Sequence, residues 1–147
     1  MKKVIFVCHG NICRSPAAEF IFLKVARELG RENEFEVSSK ATSYEEIGND
    51  IYPPMKKALI SHQIPFKTHR ASRFTLNDYL SSDYIFYMDE NNIRNLYRIC
   101  DDPDNKYYPV FKWTQGIYYI EDPWYTDNYD KVIKELTECI IDILKHI

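Results

Sequence analysis

Short apolar runs alternate along the chain with longer stretches in which apolar positions recur every three or four residues. Residues 3–7 and 83–88 are mostly apolar without alternation, which predicts strands buried on both faces. Residues 35–39 are predicted to form another strand and residues 40–49 a loop. Residues 108–113 fit either a further strand or an irregular segment.

The longer stretches predict helices. Ser15 is a candidate N-cap, Pro16 fits a first helical turn, and Gly30 ends this first helix. Further helices are predicted from Pro53-Pro54 onward, over residues 89–99 and over residues 127–146. The last helix is amphipathic, with an inward face formed by Val132, Ile133, Leu136, Ile140, Ile143 and Leu144.

Strands that alternate with helices favour a three-layer α/β/α fold around a parallel sheet. The length of 147 residues suits a single domain over residues 1–147, and a hydrophobic fraction of 45% argues against disorder. The order of the strands in the sheet is not visible from this pattern. In such sheets ligands bind at the carboxyl ends of the strands.

Composition narrows the functional classes. A net charge of −3 gives no indication of a nucleic-acid surface, and no apolar run is long enough to span a membrane. The apolar N-terminal stretch is too short for a signal peptide. Four scattered cysteines do not make a disulfide scaffold, so a reducing cytoplasm is the expected location. Cys100 and Cys139 are expected to be buried thiols.

One loop, between the first predicted strand and the first helix, concentrates the reactive groups of the chain: Cys8-His9-Gly10-Asn11-Ile12-Cys13-Arg14-Ser15. The helix N-terminus, converging backbone N–H groups and Arg14 favour the thiolate form of Cys8, and they also bind a phosphate. Arg14 can hold two oxygens at once. Gly10 allows a backbone conformation that a side chain would oppose, and Asn11 tolerates a left-handed one. Ser15 can donate to the Cys8 sulfur.

Other interpretations of this loop stay open. Cys8 could be a buried core cysteine with Arg14 on the surface. Cys8 and Cys13 could also bind a metal, but no second Cys or His pair has matching spacing, so no metal is expected. A non-catalytic phosphate-binding module would keep the loop without needing the thiol.

Together with Met88-Asp89-Glu90-Asn91-Asn92 and Glu121-Asp122-Pro123-Trp124-Tyr125, the loop resembles the motifs of the low-molecular-weight protein tyrosine phosphatases, in the same order. The resemblance implies a short four-stranded parallel sheet flanked by helices. It also implies hydrolysis of phosphotyrosine in proteins, and of small aryl phosphates, through a phosphocysteine intermediate without a cofactor.

By matching position, the resemblance makes Cys8 the nucleophile, Arg14 the phosphate clamp and Asp122 the general acid and base. One group that changes from acid to base suits two-step covalent catalysis. Pro123 would fix the direction of Asp122. The implied phosphate-binding residues are His9, Gly10, Asn11, Ile12, Cys13, Arg14 and Ser15.

The resemblance also assigns supporting positions: Asn11, Ser15, Ser39, Glu19, His69 and Asp89. Asn11 and Ser39 brace the loop by hydrogen bonds, and the others support the structure. Cys13 matches a second loop cysteine, which implies a reversible, peroxide-driven disulfide with Cys8. A packing role alone is the alternative for Cys13.

Some positions depart from the family pattern. His9 stands where an apolar residue or Thr is common, and Tyr44-Glu45 stands where a Gly followed by an aromatic residue often occurs. Two alternatives follow for this side of the pocket. In one, Tyr44 replaces the aromatic wall from one position earlier; in the other, Glu45 disfavours acidic peptides. Trp124 and Tyr125 are expected to line the cleft, with a core anchor as the alternative for Trp124.

Two related activities remain as alternatives. Arginine phosphatases of the family carry Thr at the position of Ile12, and arsenate reductases need a further nearby cysteine pair. Ile12 favours phosphotyrosine, and Cys100 and Cys139 are far apart in sequence. The expected partner is a phosphotyrosine-containing protein, with no nucleic acid and no membrane. A tyrosine kinase acting on the tyrosines after Pro123 is a candidate partner, and a monomer is expected.

Overall fold

The computed structural model describes all 147 residues and contains one parallel four-stranded sheet. The strands occur in the spatial order β2-β1-β3-β4. Their bounds are β1 Lys2–Cys8, β2 Phe35–Ala41, β3 Tyr84–Tyr87 and β4 Tyr107–Pro109. The predicted α/β fold with a four-stranded parallel sheet is confirmed.

Six α-helices surround the sheet: α1 Arg14–Glu28, α2 Pro53–Ser61, α3 Leu76–Ser81, α4 Glu90–Ile99, α5 Pro123–Thr126 and α6 Tyr129–Leu144. A larger apolar cluster joins one face of β1 to α1, α2 and α6, and a smaller cluster joins the other face to α3 and α4. This gives the three layers. No helix combines the length and the apolar character needed to cross a bilayer.

The central strand explains why residues 3–7 do not alternate. β1 pairs with β2 on one side and with β3 on the other, and it has a hydrophobic cluster against each face. Alternate side chains such as Val4 and Ile5 therefore point into different clusters, and both are fully buried. Because β1 lies between two other strands, its carboxyl end is in the middle of the row formed by the carboxyl ends of the strands. Cys8 is the last residue of β1.

Several sequence-based boundaries are corrected. Ser15 is not the N-cap of α1, because the cap position is held by Cys13 and the Ser15 hydroxyl is used inside the loop. The loop predicted from residue 40 starts later, since β2 continues to Ala41. Cys100 is only partly buried, whereas Cys139 is fully buried as expected.

Other boundaries agree with the pattern. Gly30 has a left-handed φ of 69°, and the N–H of Arg31 bonds the carbonyl of Ala26, which closes α1 with a Schellman motif. Asp89 caps α4 by accepting the Asn92 N–H. All six residues predicted for the inward face of the last helix are buried in α6.

Candidate active site

The loop from Cys8 to Arg14 connects the carboxyl end of β1 to the N-terminus of α1. The buried Cys8 sulfur lies 3.0 Å from the Ser15 hydroxyl and accepts the Ser15 backbone N–H at 3.4 Å. Both groups can donate to sulfur, so both stabilise negative charge there. The position at a helix N-terminus acts in the same direction.

Arg14 is 2% exposed and is held in place by acceptors from distant parts of the chain. Its Nη1 donates to Asp89 Oδ2 and to the Ile120 carbonyl, each at 2.7 Å. Its Nη2 lies 3.7 Å from Asp122 Oδ2. Burial by itself lowers the pKa of Arg14, but the charges of Cys8 and the two carboxylates outweigh it and raise that pKa. The guanidinium therefore stays charged and fixed in direction.

Asn11 braces the loop from within. Its φ of 61° is left-handed, as predicted for this position. Its amide Nδ2 donates to Ser15 Oγ at 2.8 Å and to Ser39 Oγ at 3.0 Å, while its Oδ1 accepts the Ser72 N–H at 3.1 Å. One buried side chain thus ties the loop to α1, to β2 and to the segment after His69.

The brace continues outward through Ser39 and His69. Ser39 Oγ donates to Glu19 Oε1 at 2.7 Å. Burial raises the pKa of Glu19, although the Ser39 bond opposes this shift. His69 Nε2 lies 2.8 Å from the Asn11 carbonyl oxygen, and a carbonyl only accepts, so Nε2 carries the proton. Burial lowers the pKa of His69 and so favours the neutral ring. The hydrogen bond to the Asn11 carbonyl opposes this shift in part.

Asp122 is positioned by a helix cap. It is the N-cap of α5, and its Oδ1 accepts the Trp124 N–H at 3.0 Å. Pro123 is buried at the first position of this short helix. The second carboxylate oxygen, Oδ2, is the one near Arg14, and the Asp122 side chain as a whole remains partly exposed. The cap therefore directs Asp122 Oδ2 toward the loop.

These groups enclose one pocket of about 150 Å³. Its lining brings together the loop, a short stretch after β2 and the start of α5: Cys8, His9, Gly10, Ile12, Cys13, Arg14, Glu45, Glu46, Asp122, Trp124 and Tyr125. A buried thiol, a buried guanidinium and a capped carboxylate thus face the same cavity. The predicted supporting residues are outside this lining: Asn11, Ser15, Ser39, Glu19, His69 and Asp89.

Gly10 lies against Glu46, and the expectation that Tyr44 forms part of the pocket wall is wrong. The φ of Gly10 is not left-handed, and a Cβ built at Gly10 would lie 3.3 Å from Glu46 Cγ, a tight contact from which the Glu46 side chain would have to move. Tyr44 does not line the pocket. It is 71% exposed and packs on the Arg73 guanidinium, 4.3 Å from its ring centroid. Glu45 occupies that side of the pocket.

On the opposite side, Trp124 is no core anchor. Its side chain is 52% exposed, lines the pocket and packs on Tyr52 with ring centroids 4.7 Å apart. Tyr125 is still more exposed and also lines the pocket. Two aromatic side chains therefore form one wall, without an aromatic partner across the pocket.

Sequence reasoning missed several contributors to the site. Glu46 lines the pocket, and Asp50 accepts the His69 backbone N–H at 3.0 Å. The hydrogen-bonded ion pair with Lys56 lowers the pKa of Asp50 to about 2, although burial acts to raise that pKa. The acidic Glu45-Glu46 pair was a visible signal. The Ile120 carbonyl and the Ser72 amide are backbone groups, for which no residue type gives a signal.

The pocket contains a second thiol, that of Cys13. Cys13 is a free, buried thiol that lines the pocket with Cys8. Burial and the Cys8 charge raise the pKa of Cys13. No three His, Cys, Asp or Glu side chains converge in an arrangement that would hold a metal ion.

Comparison with known proteins shows the family of this chain. The model of the family "Low molecular weight phosphotyrosine protein phosphatase" matches residues 3–147. The chain belongs to this family. A phosphatase of this family from Dictyostelium discoideum is 32% identical over 167 aligned positions, which cover 99% of this chain and 93% of that protein.

Two solved structures superpose on the whole chain. YfkJ from Bacillus subtilis superposes with a TM-score of 0.94 at 29% identity, covering 99% of this chain and 93% of that one. The low-molecular-weight protein tyrosine phosphatase SP-PTP from Streptococcus pyogenes superposes with a TM-score of 0.89 at 34% identity. That match covers 100% of this chain and 93% of the other.

Replacing Asn11 in this phosphatase fold by alanine is expected to lower the free energy of unfolding by about 2–4 kcal/mol. The substitution removes three hydrogen bonds and places an alanine at a left-handed φ. Urea titration of both variants measures the loss. Asn11→Gly is the matched comparison, because it tolerates the same φ and loses only the bonds. A stability of Asn11→Ala equal to that of the parent would contradict the brace.

Proposed function

We propose that the protein hydrolyses phosphotyrosine in proteins, and small aryl phosphates, through a phosphocysteine intermediate. The observation that carries the proposal is the common pocket of Cys8, Arg14 and Asp122, with the Arg14 Nη2 3.7 Å from Asp122 Oδ2. A nucleophile, an anion clamp and a proton donor are the three groups that this reaction requires.

In the first step, the Cys8 thiolate attacks phosphorus and the bond from phosphorus to the aryl oxygen breaks. Asp122 gives its proton to the leaving phenolate, and a P–S bond has formed. The loop N–H groups and Arg14 hold the phosphoryl oxygens throughout, and Arg14 is already oriented by Asp89 before substrate arrives.

In the second step, water attacks the phosphocysteine and the P–S bond breaks. Asp122, now a carboxylate, accepts a proton from this water, which restores its starting state. The departing Cys8 thiolate is received by the Ser15 hydroxyl and N–H that lie 3.0 Å and 3.4 Å from the sulfur. These same contacts therefore assist both attack and departure.

The pocket walls support an aryl substrate. Ile12 presents an apolar side chain without a hydroxyl, and Trp124 and Tyr125 offer aromatic faces. Purified protein assayed in chelator with a phosphotyrosine peptide, phosphoarginine and arsenate tests this choice. We expect the fastest turnover on phosphotyrosine. Faster turnover of phosphoarginine or arsenate would assign one of the two related activities, and phosphate binding without any turnover would assign a binding module.

The proposal extends to oxidation of the pocket thiols. Peroxide would oxidise Cys8 to a sulfenic acid, and attack by the Cys13 sulfur would form an S–S bond and release water. Burial and the Cys8 charge keep the pKa of Cys13 raised, which leaves Cys8 to react first. Both side chains line the same pocket as free thiols, which supports this pairing.

The rate on an aryl phosphate is expected to peak on the acid side of neutral pH and to fall as pH rises. The first step needs Cys8 ionised and Asp122 protonated, and Arg14, with its raised pKa, stays charged throughout. A kcat/KM profile of the parent and of Asp122→Asn measures this. The fall at higher pH should be absent from the Asn variant; its persistence there would remove Asp122 from the role of acid.

A further inference from the structure

The pocket lining carries an uneven distribution of charge. Its cation, Arg14, is buried at the base of the loop, whereas Glu45 and Glu46 belong to the same lining near solvent. The Glu45 side chain is 69% exposed. A substrate phosphate would lie against Arg14, and residues that flank the phosphotyrosine would lie closer to the two glutamates.

Both glutamates are held in place without a Lys or Arg partner. Glu45 Oε2 lies 2.9 Å from His9 Nε2, and Glu46 Oε2 accepts the Asn49 amide at 2.7 Å. The Glu46 stem packs close to Gly10, as the 3.3 Å distance to a Cβ built there shows. Neither carboxylate is paired with a lysine or arginine. His9 offsets the Glu45 charge only when its ring is protonated, so with a neutral His9 ring both negative charges are available to a substrate.

The positive charge of Arg14 does not offset these carboxylates. Asp89 at 2.7 Å already balances it, and a bound phosphate would add further negative charge. The charge of Glu46 also acts on the pocket, since it is among the causes that raise the pKa of Cys13.

The groove on the far side of Asp122 has a different balance of charged residues. Its lining includes Asp89, Glu90, Glu121 and Asp122, but Arg14 lies 2.7 Å from Asp89 and the Lys131 ammonium lies 2.7 Å from Glu121. Arg94 adds a cation to the same groove. Cations therefore accompany acids in this groove, whereas no lysine or arginine is paired with Glu45 or Glu46 on the other side of the pocket.

We propose that Glu45 and Glu46 select phosphotyrosine substrates with lysine or arginine beside the phosphotyrosine, and disfavour substrates with acidic residues there. The inference rests on the proposed phosphotyrosine hydrolysis and names the substrate class within it. Exposed charge pairs contribute modestly, so a change from two flanking acids to two flanking bases is expected to raise kcat/KM about tenfold.

Two phosphotyrosine peptides, identical except for Lys or Glu on both sides of the phosphotyrosine, test this selection. The parent should favour the Lys peptide about tenfold at low salt, and the ratio should fall toward one in about 0.5 M NaCl, where exposed charges are screened. In the Glu45→Gln/Glu46→Gln double variant, the ratio should approach one whatever its absolute rate. Glu36→Gln, an exposed glutamate on β2 that does not line the pocket, should keep the parent ratio.

The outcomes separate the two proposals. Turnover of both peptides with a ratio near one in the parent, or with a ratio that neither salt nor the double variant changes, would overturn the selection and leave phosphotyrosine hydrolysis intact. Absence of turnover on both peptides and on an aryl phosphate would overturn the proposed function itself. Because the salt series uses the unaltered protein, the test does not depend on how the variants fold.

Discussion

Replacing Cys8 by serine is expected to lower turnover of aryl phosphates on the order of 10⁴-fold or more. A serine hydroxyl is not ionised near neutral pH, and no base contacts the sulfur at position 8. The sulfur contacts the Ser15 hydroxyl and N–H, and the one imidazole of the loop, His9, is held by Glu45. The backbone amides and Arg14 remain. Inorganic phosphate should therefore still bind, which isothermal titration can measure beside the rate.

Cys100→Ser is the matched control for this substitution. Cys100 is a free cysteine outside the pocket, and its thiol donates to the Asp101 carbonyl at 3.0 Å. The same chemical change at this position should leave turnover near that of the parent. A Cys8→Ser protein that kept the parent rate would show that the thiol is not the nucleophile. A control that lost activity as well would point to a general effect on folding.

Replacing Asp122 by asparagine is expected to lower turnover of phosphotyrosine by about 10²–10⁴-fold. Asparagine cannot donate a carboxylic proton, although its oxygen can still cap α5 by accepting the Trp124 N–H. The loss should be smaller for p-nitrophenyl phosphate, because its leaving group needs less protonation. Steady-state rates on a series of aryl phosphates measure the dependence on the leaving group.

Asp127→Asn provides the control for charge and for the short helix. Asp127 ends α5 with a left-handed φ of 58°, which asparagine also tolerates, and its side chain is exposed. The control should keep both the rate and its leaving-group dependence. An equal loss on good and poor leaving groups for Asp122→Asn would mean that this carboxylate orients Arg14 instead of moving a proton.

The loop could be predicted from sequence because its chemistry is local. Cys8, Asn11 and Arg14 lie within one strand-to-helix junction, and the left-handed φ of Asn11 follows from its residue type. The position of Asp122 in the pocket could not be derived from spacing, because more than a hundred residues separate it from Cys8. Family resemblance indicated that residue, and the structure places it beside Arg14.

The wall of the pocket was harder to predict because it depends on the path of the chain after β2. Tyr44 has an aromatic side chain suited to a pocket wall, but its ring packs on the Arg73 guanidinium. Glu45 and Glu46 line that side of the pocket instead. The order of the strands was not visible for a similar reason. It depends on how crossovers pack, and β1 and β3 are neighbours although they are far apart in sequence.

Short elements were missed for a different reason. Thr75 and Asp78 form a capping box at the start of α3, which is a local signal that identifies this helix without any tertiary information. α5 spans four residues and gives no periodic pattern of its own. Its Asp122-Pro123 start fits a helix N-terminus as well as the turn that such a pair often begins.

The central claim, a phosphocysteine at Cys8, is tested most directly by trapping it. Rapid acid quench of the parent during turnover of an aryl phosphate, followed by peptide mass spectrometry, locates any covalent phosphoryl group. We expect the added mass of one phosphoryl group on the peptide that contains Cys8, assigned to the sulfur, and its absence from Cys8→Ser. A phosphoryl group on any other residue during productive turnover, or turnover by Cys8→Ser at the parent rate, would contradict it.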